Sequence, residues 1–103
     1  MKRYKTAICA DGFRMSVQAN PTAYCVPRSG IPTAYALVEV GFPSEEEPLL
    51  MPYADFPLTP TDTVYGYVPV EIVTTVLVKH GGLVEGEVPP GVIPIMASEN
   101  ETS

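Results

Sequence analysis

Twelve prolines divide these 103 residues so finely that regular structure has few places to form. Proline has no amide hydrogen and a φ locked near −65°, so helix interiors and central strands exclude it. The longest intervals without one are residues 1–20, 33–42 and 70–88. Each has room for a main element, and the segments between them must be loops, turns or short strands.

The third interval carries the clearest signal, a helix from Pro69 to His80. Pro69 suits the first turn, where its missing donor would have had no intrahelical partner. Glu71 lies near the positive end of the helix dipole and Lys79 and His80 near the negative end. Gly81 can adopt the left-handed stop. Ile72, Val73, Val76, Leu77 and His80 form a single stripe for burial.

The first interval reads as a hairpin. In residues 3–9, Tyr4, Thr6 and Ile8 share one face; Asp11-Gly12 is a turn signal; Met15, Val17 and Ala19 then alternate with Ser16, Gln18 and Asn20. Residues 33–42 form the best single strand, with Ala36, Val38, Val40 and Phe42 on one side and Tyr35, Leu37 and Glu39 on the other. Residues 43–63 hold five prolines and the Glu45-Glu46-Glu47 triplet, and read as a solvated loop in which Leu49-Leu50-Met51 forms a helical turn or an apolar plug. Residues 64–68 give a short strand with Tyr65 and Tyr67 on the face opposite Val64 and Val68.

The expected architecture is an α+β fold: a small, mostly antiparallel sheet of about four strands with one amphipathic helix on one face. Residues 1–88 form the domain, and 89–103 a proline-rich, acidic tail whose last residues are disordered. Within that tail Val92–Met96 is apolar, so it either docks back on the domain as an edge segment or binds another copy, as in a homodimer, or another protein.

A formal charge of −6 disfavours nonspecific attraction to nucleic acid or anionic membrane. Four of the six basic groups (Lys2, Arg3, Lys5 and Arg14) lie in the first fourteen residues, so the molecule is electrically two-sided. The basic start is not followed by the apolar stretch of a signal peptide, and no run approaches the roughly 18 apolar residues of a membrane span, which points to the cytosol.

Cys9 and Cys25 match no zinc or redox spacing, and with one histidine they cannot make a four-ligand site; no metal or other cofactor is expected. Their expected role is packing. His80 is the only histidine, so a thiol mechanism would have to pair it with Cys25, without the surrounding signature such enzymes carry. As a helix-end cation or a residue sealing the core edge it has a simpler role. Phosphate-loop motifs are absent.

Recognition chemistry is better represented. Tyr24-Cys25-Val26-Pro27-Arg28 places an aromatic ring and a guanidinium on one stiffened loop. A helix covering one sheet face would leave Tyr65 and Tyr67 on the open face, where an apolar ring with a wet hydroxyl suits an interface. The candidate binding residues are therefore Tyr24, Arg28, Tyr65, Tyr67 and Arg14.

Three stretches together, residues 11–19, Tyr24 to Arg28, and Val64 through His80-Gly81-Gly82, resemble small proteins encoded by bacteriophages and prophages. The resemblance spans roughly residues 7–84 and implies origin, with no activity or site to transfer. Small acidic phage proteins often bind a host factor. The expected function is thus non-enzymatic binding of a host macromolecule, most simply a host protein. The alternatives are sequestering a nucleotide signal through Arg14, Arg28 and a tyrosine stack, and a thiol enzyme using Cys25 and His80.

Overall fold

The computed structural model describes residues 2–28 and 33–98. The first proline-free interval gives a hairpin of β1 (Ala7–Cys9) and β2 (Arg14–Gln18), and the second gives β3 (Leu37–Gly41). After a long loop with a 3-10 turn at Met51–Tyr53 come β4 (Val64–Pro69), α1 (Val70–Lys79) and β5 (Leu83–Glu85). The strands form one sheet in the order β4-β3-β2-β1-β5, with every neighbouring pair antiparallel. Among the described residues it is an α+β fold with one α-helix, and α1 carries the chain from one edge strand to the other.

The helix begins and ends as its sequence predicts. Pro69 is its N-cap residue, and the Val70 amide, which has no partner within the helix, donates to the Ala36 carbonyl at 3.1 Å. At the other end Gly81, at φ 91°, donates to Val78, and Gly82 donates to Leu77. These two bonds are the glycine-stopped Schellman closure. Val70, Val73, Val76 and Leu77 are buried against the sheet.

The inner sheet face is built by alternation: Ala7 and Cys9 from β1, Met15 and Val17 from β2, Val38 and Val40 from β3. Each such valine contributes roughly 1.5–3 kcal/mol by leaving water. Phe13 and Leu50 fill the space where the hairpin turn and the long loop meet the helix end. Leu50 is thus the apolar plug, directly before the 3-10 turn.

Four expectations need correction. A fifth strand, β5, pairs with β1, and its three residues are too few to show a period. Phe42 leaves β3 with φ 50° and is largely exposed rather than continuing the Val38–Val40 face. Glu47 is buried at 1% exposure, unlike a residue of a solvated loop. The boundary after Val88 falls inside the fold. Val92 is in the core, the Tyr35 amide donates to the Pro90 carbonyl, and Met96 forms a parallel bridge with Leu83. The segment through Ala97 docks, so the disorder expected of about the last seven residues does not begin at Ala97, and residues 99–103 lie outside those described.

Within Val92–Met96 the buried side chain is Val92, whereas Ile93 beside it stays exposed. Val92→Ala should cost about 1–2 kcal/mol in urea denaturation. Ile93→Ala should stay within about 0.5 kcal/mol. Equal costs would show that the segment does not pack as described.

Candidate binding surface

A bulge in β4 shapes the most accessible aromatic surface. Val38 pairs with Val68 and Val40 with Tyr65, so two steps along β3 match three along β4, with Gly66 and Tyr67 as the stretched pair. One extra residue inverts the alternation beyond it. Tyr65 and Val68 consequently both face the core, while Tyr67 turns outward with φ 53°. The left-handed region costs a non-glycine residue about 1–2 kcal/mol. Tyr67 and Phe42 are the two non-glycine residues that adopt it among those described, and both are exposed aromatics.

Tyr24 lies beside the bulge. Its carbonyl accepts from the Tyr67 amide at 2.9 Å, and its own amide donates to Glu39 Oε2 at 3.2 Å, from the β3 residue opposite the bulge. The ring centroids of Tyr24 and Tyr67 are 5.9 Å apart with planes tilted by 36°. They are 44% and 43% exposed. Gly66 permits this approach, since a Cβ there would stand 3.2 Å from the Tyr24 Cβ.

On the same edge, Ala54 bridges Tyr65 and the Asp55 amide donates to the Val64 carbonyl at 3.0 Å. Tyr53 and Asp55 therefore join Tyr24, Gly66 and Tyr67 around a shallow cavity of about 210 Å³. Phe56 and Leu58, both highly exposed, follow in the same loop. Sequence reasoning missed Tyr53 and Asp55, because only the pairing of residues 54–55 with β4 brings them here. Gly66 was the available signal, since a glycine inside a strand often marks a bulge.

The other expected binding residues are not gathered at this cavity. Tyr65 is fully buried and its hydroxyl donates to the Pro60 carbonyl, so it is a core residue and not a contact residue. The bulge is the physical reason: it separates the faces of the two tyrosines. Arg28 folds back to the Pro21 carbonyl at 3.4 Å, and Arg14 opens β2 at its opposite end. Neither arginine lines the tyrosine cavity. A second cavity, of about 500 Å³, is lined instead by Arg3, Tyr4, Lys5, Thr6, Ser16 and Phe42 with Gly41.

His80 serves a different purpose. Its Nδ1 is 2.6 Å from Asp11 Oδ2 and its Nε2 is 2.7 Å from Glu47 Oε1. Its ring stacks on Phe13 at 4.0 Å. Lys79 Nζ lies 3.0 Å from the Glu47 carboxylate, which also accepts from the Leu49 amide at 2.8 Å. Burial alone would lower the His80 pKa, but the hydrogen bonds and charges of Glu47 and Asp11 raise it above the ordinary 6.5. Burial likewise works to raise Glu47, but the Leu49 amide, His80 and Lys79 hold it below 4.5. The Phe13 amide, then His80, lowers Asp11 from 3.8.

With both ring nitrogens engaged by carboxylates, His80 has no free position from which to activate Cys25. That thiol contacts the Asn20 carbonyl at 3.3 Å and is fully buried. Burial, with the Asp11 charge, pushes the Cys9 thiol up to about 11. Both cysteines are free thiols. Among the described residues no cluster of three or more His, Cys, Asp or Glu side chains is placed to hold a metal ion. No helix among them is long and apolar enough to cross a membrane.

No protein-family model matches the chain, and neither a curated protein nor a solved structure shows significant similarity to it.

The raised His80 stabilises the fold fully below pH 6.5, and that contribution is lost as pH climbs through its raised value. The lowered Glu47 and Asp11 contribute above 4.5 and 3.8 and lose their effect as pH falls. Urea midpoints should therefore plateau between these limits, and His80→Gln should abolish the decline that sets in on the alkaline side of pH 6.5. An unchanged alkaline decline in that variant would show that another group titrates. At the bulge, Tyr67→Gly should be more stable than Tyr67→Ala by about 1 kcal/mol, the reverse of their usual order in a strand. Alanine as the more stable of the two would show that position 67 carries no left-handed strain.

Proposed function

We propose that this chain is a non-enzymatic binding protein, encoded by a bacteriophage or prophage, that engages a host protein in the cytosol through the tyrosine surface beside β4. The observation that carries the reading is the Tyr24–Tyr67 pair. Two large rings stay near half exposure against each other, one of them at a backbone angle that costs stability. Strain of this kind persists where the surrounding structure enforces it, and it clusters at functional sites. Tyrosine supplies contact area with little entropy to lose, and so anchors interfaces well.

The charge pattern favours a basic partner surface. The net charge is −6, and Asp55 lines the tyrosine cavity while Glu39 holds the Tyr24 backbone. Complementary charge speeds the encounter and sets orientation, with the rings giving most of the affinity. Replacing Tyr24 with Ala and Tyr67 with Gly together should remove specifically captured host proteins from an affinity pull-down while the far-ultraviolet circular dichroism stays the same. Undiminished capture would end this reading.

A second reading, a small anionic ligand such as a nucleotide, has its own observation in the Arg3–Lys5 groove, where Tyr4 and Phe42 offer stacking surfaces beside two cations. Arg3 and Lys5 replace the Arg14 and Arg28 expected from sequence. A nucleotide present at one hundred times its dissociation constant should stabilise the fold by about 2.7 kcal/mol. Arg3→Ala with Lys5→Ala should cancel that gain; a thermal-shift screen without any response would exclude nucleotides.

A further inference from the structure

The cavity beside the β4 bulge has a one-sided chemistry. Three tyrosines (Tyr24, Tyr53 and Tyr67) and one carboxylate (Asp55) line it around Gly66, with no basic group among them. An aromatic ring presents negative potential on its face, so rings gathered around a hollow attract a cation, and an acid at the rim adds to that attraction. Asp55 is exposed, and its carboxylate has neither a hydrogen bond nor an ion pair among the described residues. The site is thus arranged for positive charge that the chain does not itself supply.

We propose that this cavity is an aromatic cage for the ammonium head of a lysine side chain presented by the protein partner. The inference rests on the binding function above and names the chemical group that the tyrosine surface takes. The ring geometry rules out a guanidinium sandwiched between Tyr24 and Tyr67. A planar guanidinium held between two rings needs them about 7 Å apart, two contacts of roughly 3.5 Å each. The Tyr24 and Tyr67 centroids are 5.9 Å apart and tilted by 36°, so no planar group fits between them. A compact ammonium needs no such slot. It sits over the pair, within about 6 Å of ring centroids, with Tyr53 and Asp55 as further walls. A neutral aliphatic head of the same length would fill the space but leave the Asp55 charge unanswered.

The test is a titration followed by proton–nitrogen correlation spectra of the full chain, at matched ionic strength. The probes are N-acetyl-lysine methylamide, its norleucine and arginine counterparts, and tetramethylammonium chloride. The lysine probe should shift the amides of Tyr24, Tyr53, Asp55, Gly66 and Tyr67 and saturate in the millimolar range, about tenfold tighter than the norleucine or arginine probe. Tyr67→Gly, which suits the local backbone angle, should weaken lysine binding about tenfold, and Asp55→Asn several-fold, with both spectra otherwise well dispersed.

Equal binding of norleucine would overturn the proposal in favour of an apolar pocket, and preferred binding of arginine would overturn the shape argument. Saturation by tetramethylammonium without lysine would assign the cage to a free quaternary ammonium ion and overturn the side-chain assignment. No shift with any probe would overturn the cage itself. If partner capture still depends on Tyr24 and Tyr67 in that case, the binding function stands and only the cage fails. If capture is indifferent to both tyrosines, the underlying reading fails as well.

Discussion

One imidazole joins three parts of this chain that are distant in sequence. His80 ends α1, Asp11 belongs to the hairpin turn, and Glu47 sits deep in the proline-rich loop; the ring bonds to both acids while lying flat on Phe13. Backbone bonds reinforce the junction, since the Asp11 amide donates to the His80 carbonyl and the Ala10 amide to that of Gly82. Each acid makes the imidazolium easier to form, and the helix dipole favours a cation at this end. A buried Glu47 without such partners would carry a heavy desolvation cost. The loop therefore depends on the helix end for its position, and the loop in turn delivers Ala54 and Asp55 to the edge of β4.

That dependence orders the molecule into a rigid support and an exposed working edge. Between the helix and the sheet lies an apolar layer of valines with Met15, Phe13 and Leu50. Against this support the bulge at Gly66 and Tyr67 aims one ring outward, and the Tyr24 backbone is bonded to β4 and to Glu39. Rings carried on a backbone held in this way need no backbone ordering when a partner arrives, and so retain more of their contact energy as affinity.

Local signals were readable and non-local ones were not. The helix was legible because Pro69, Glu71, Lys79 and Gly81 each act within a turn or two of themselves. The hairpin was legible for the same reason, from Asp11-Gly12 and the alternation on either side. The burial of Glu47 was hidden, because nothing near it in sequence reveals that His80 and Lys79 arrive from more than thirty positions away. The faces of Tyr65 and Tyr67 were misjudged because strict alternation was carried across Gly66, where one extra residue reverses it. The aromatic surface was anticipated in kind through Tyr24 and Tyr67, while Tyr53 and Asp55 depended on a pairing that composition cannot show.

Both outermost strands have some of their outward-facing amides and carbonyls occupied by chain segments of their own. Tyr24 and the stretch at 54–55 cover β4, and residues 95–97 run along β5, where Leu83 donates to Ile95 and accepts from Ala97. A sheet covered in this way at each end offers a poorer template on which an identical molecule could continue the ladder. Growth into fibrils by strand addition is thereby disfavoured for the folded protein, relative to assembly through side chains.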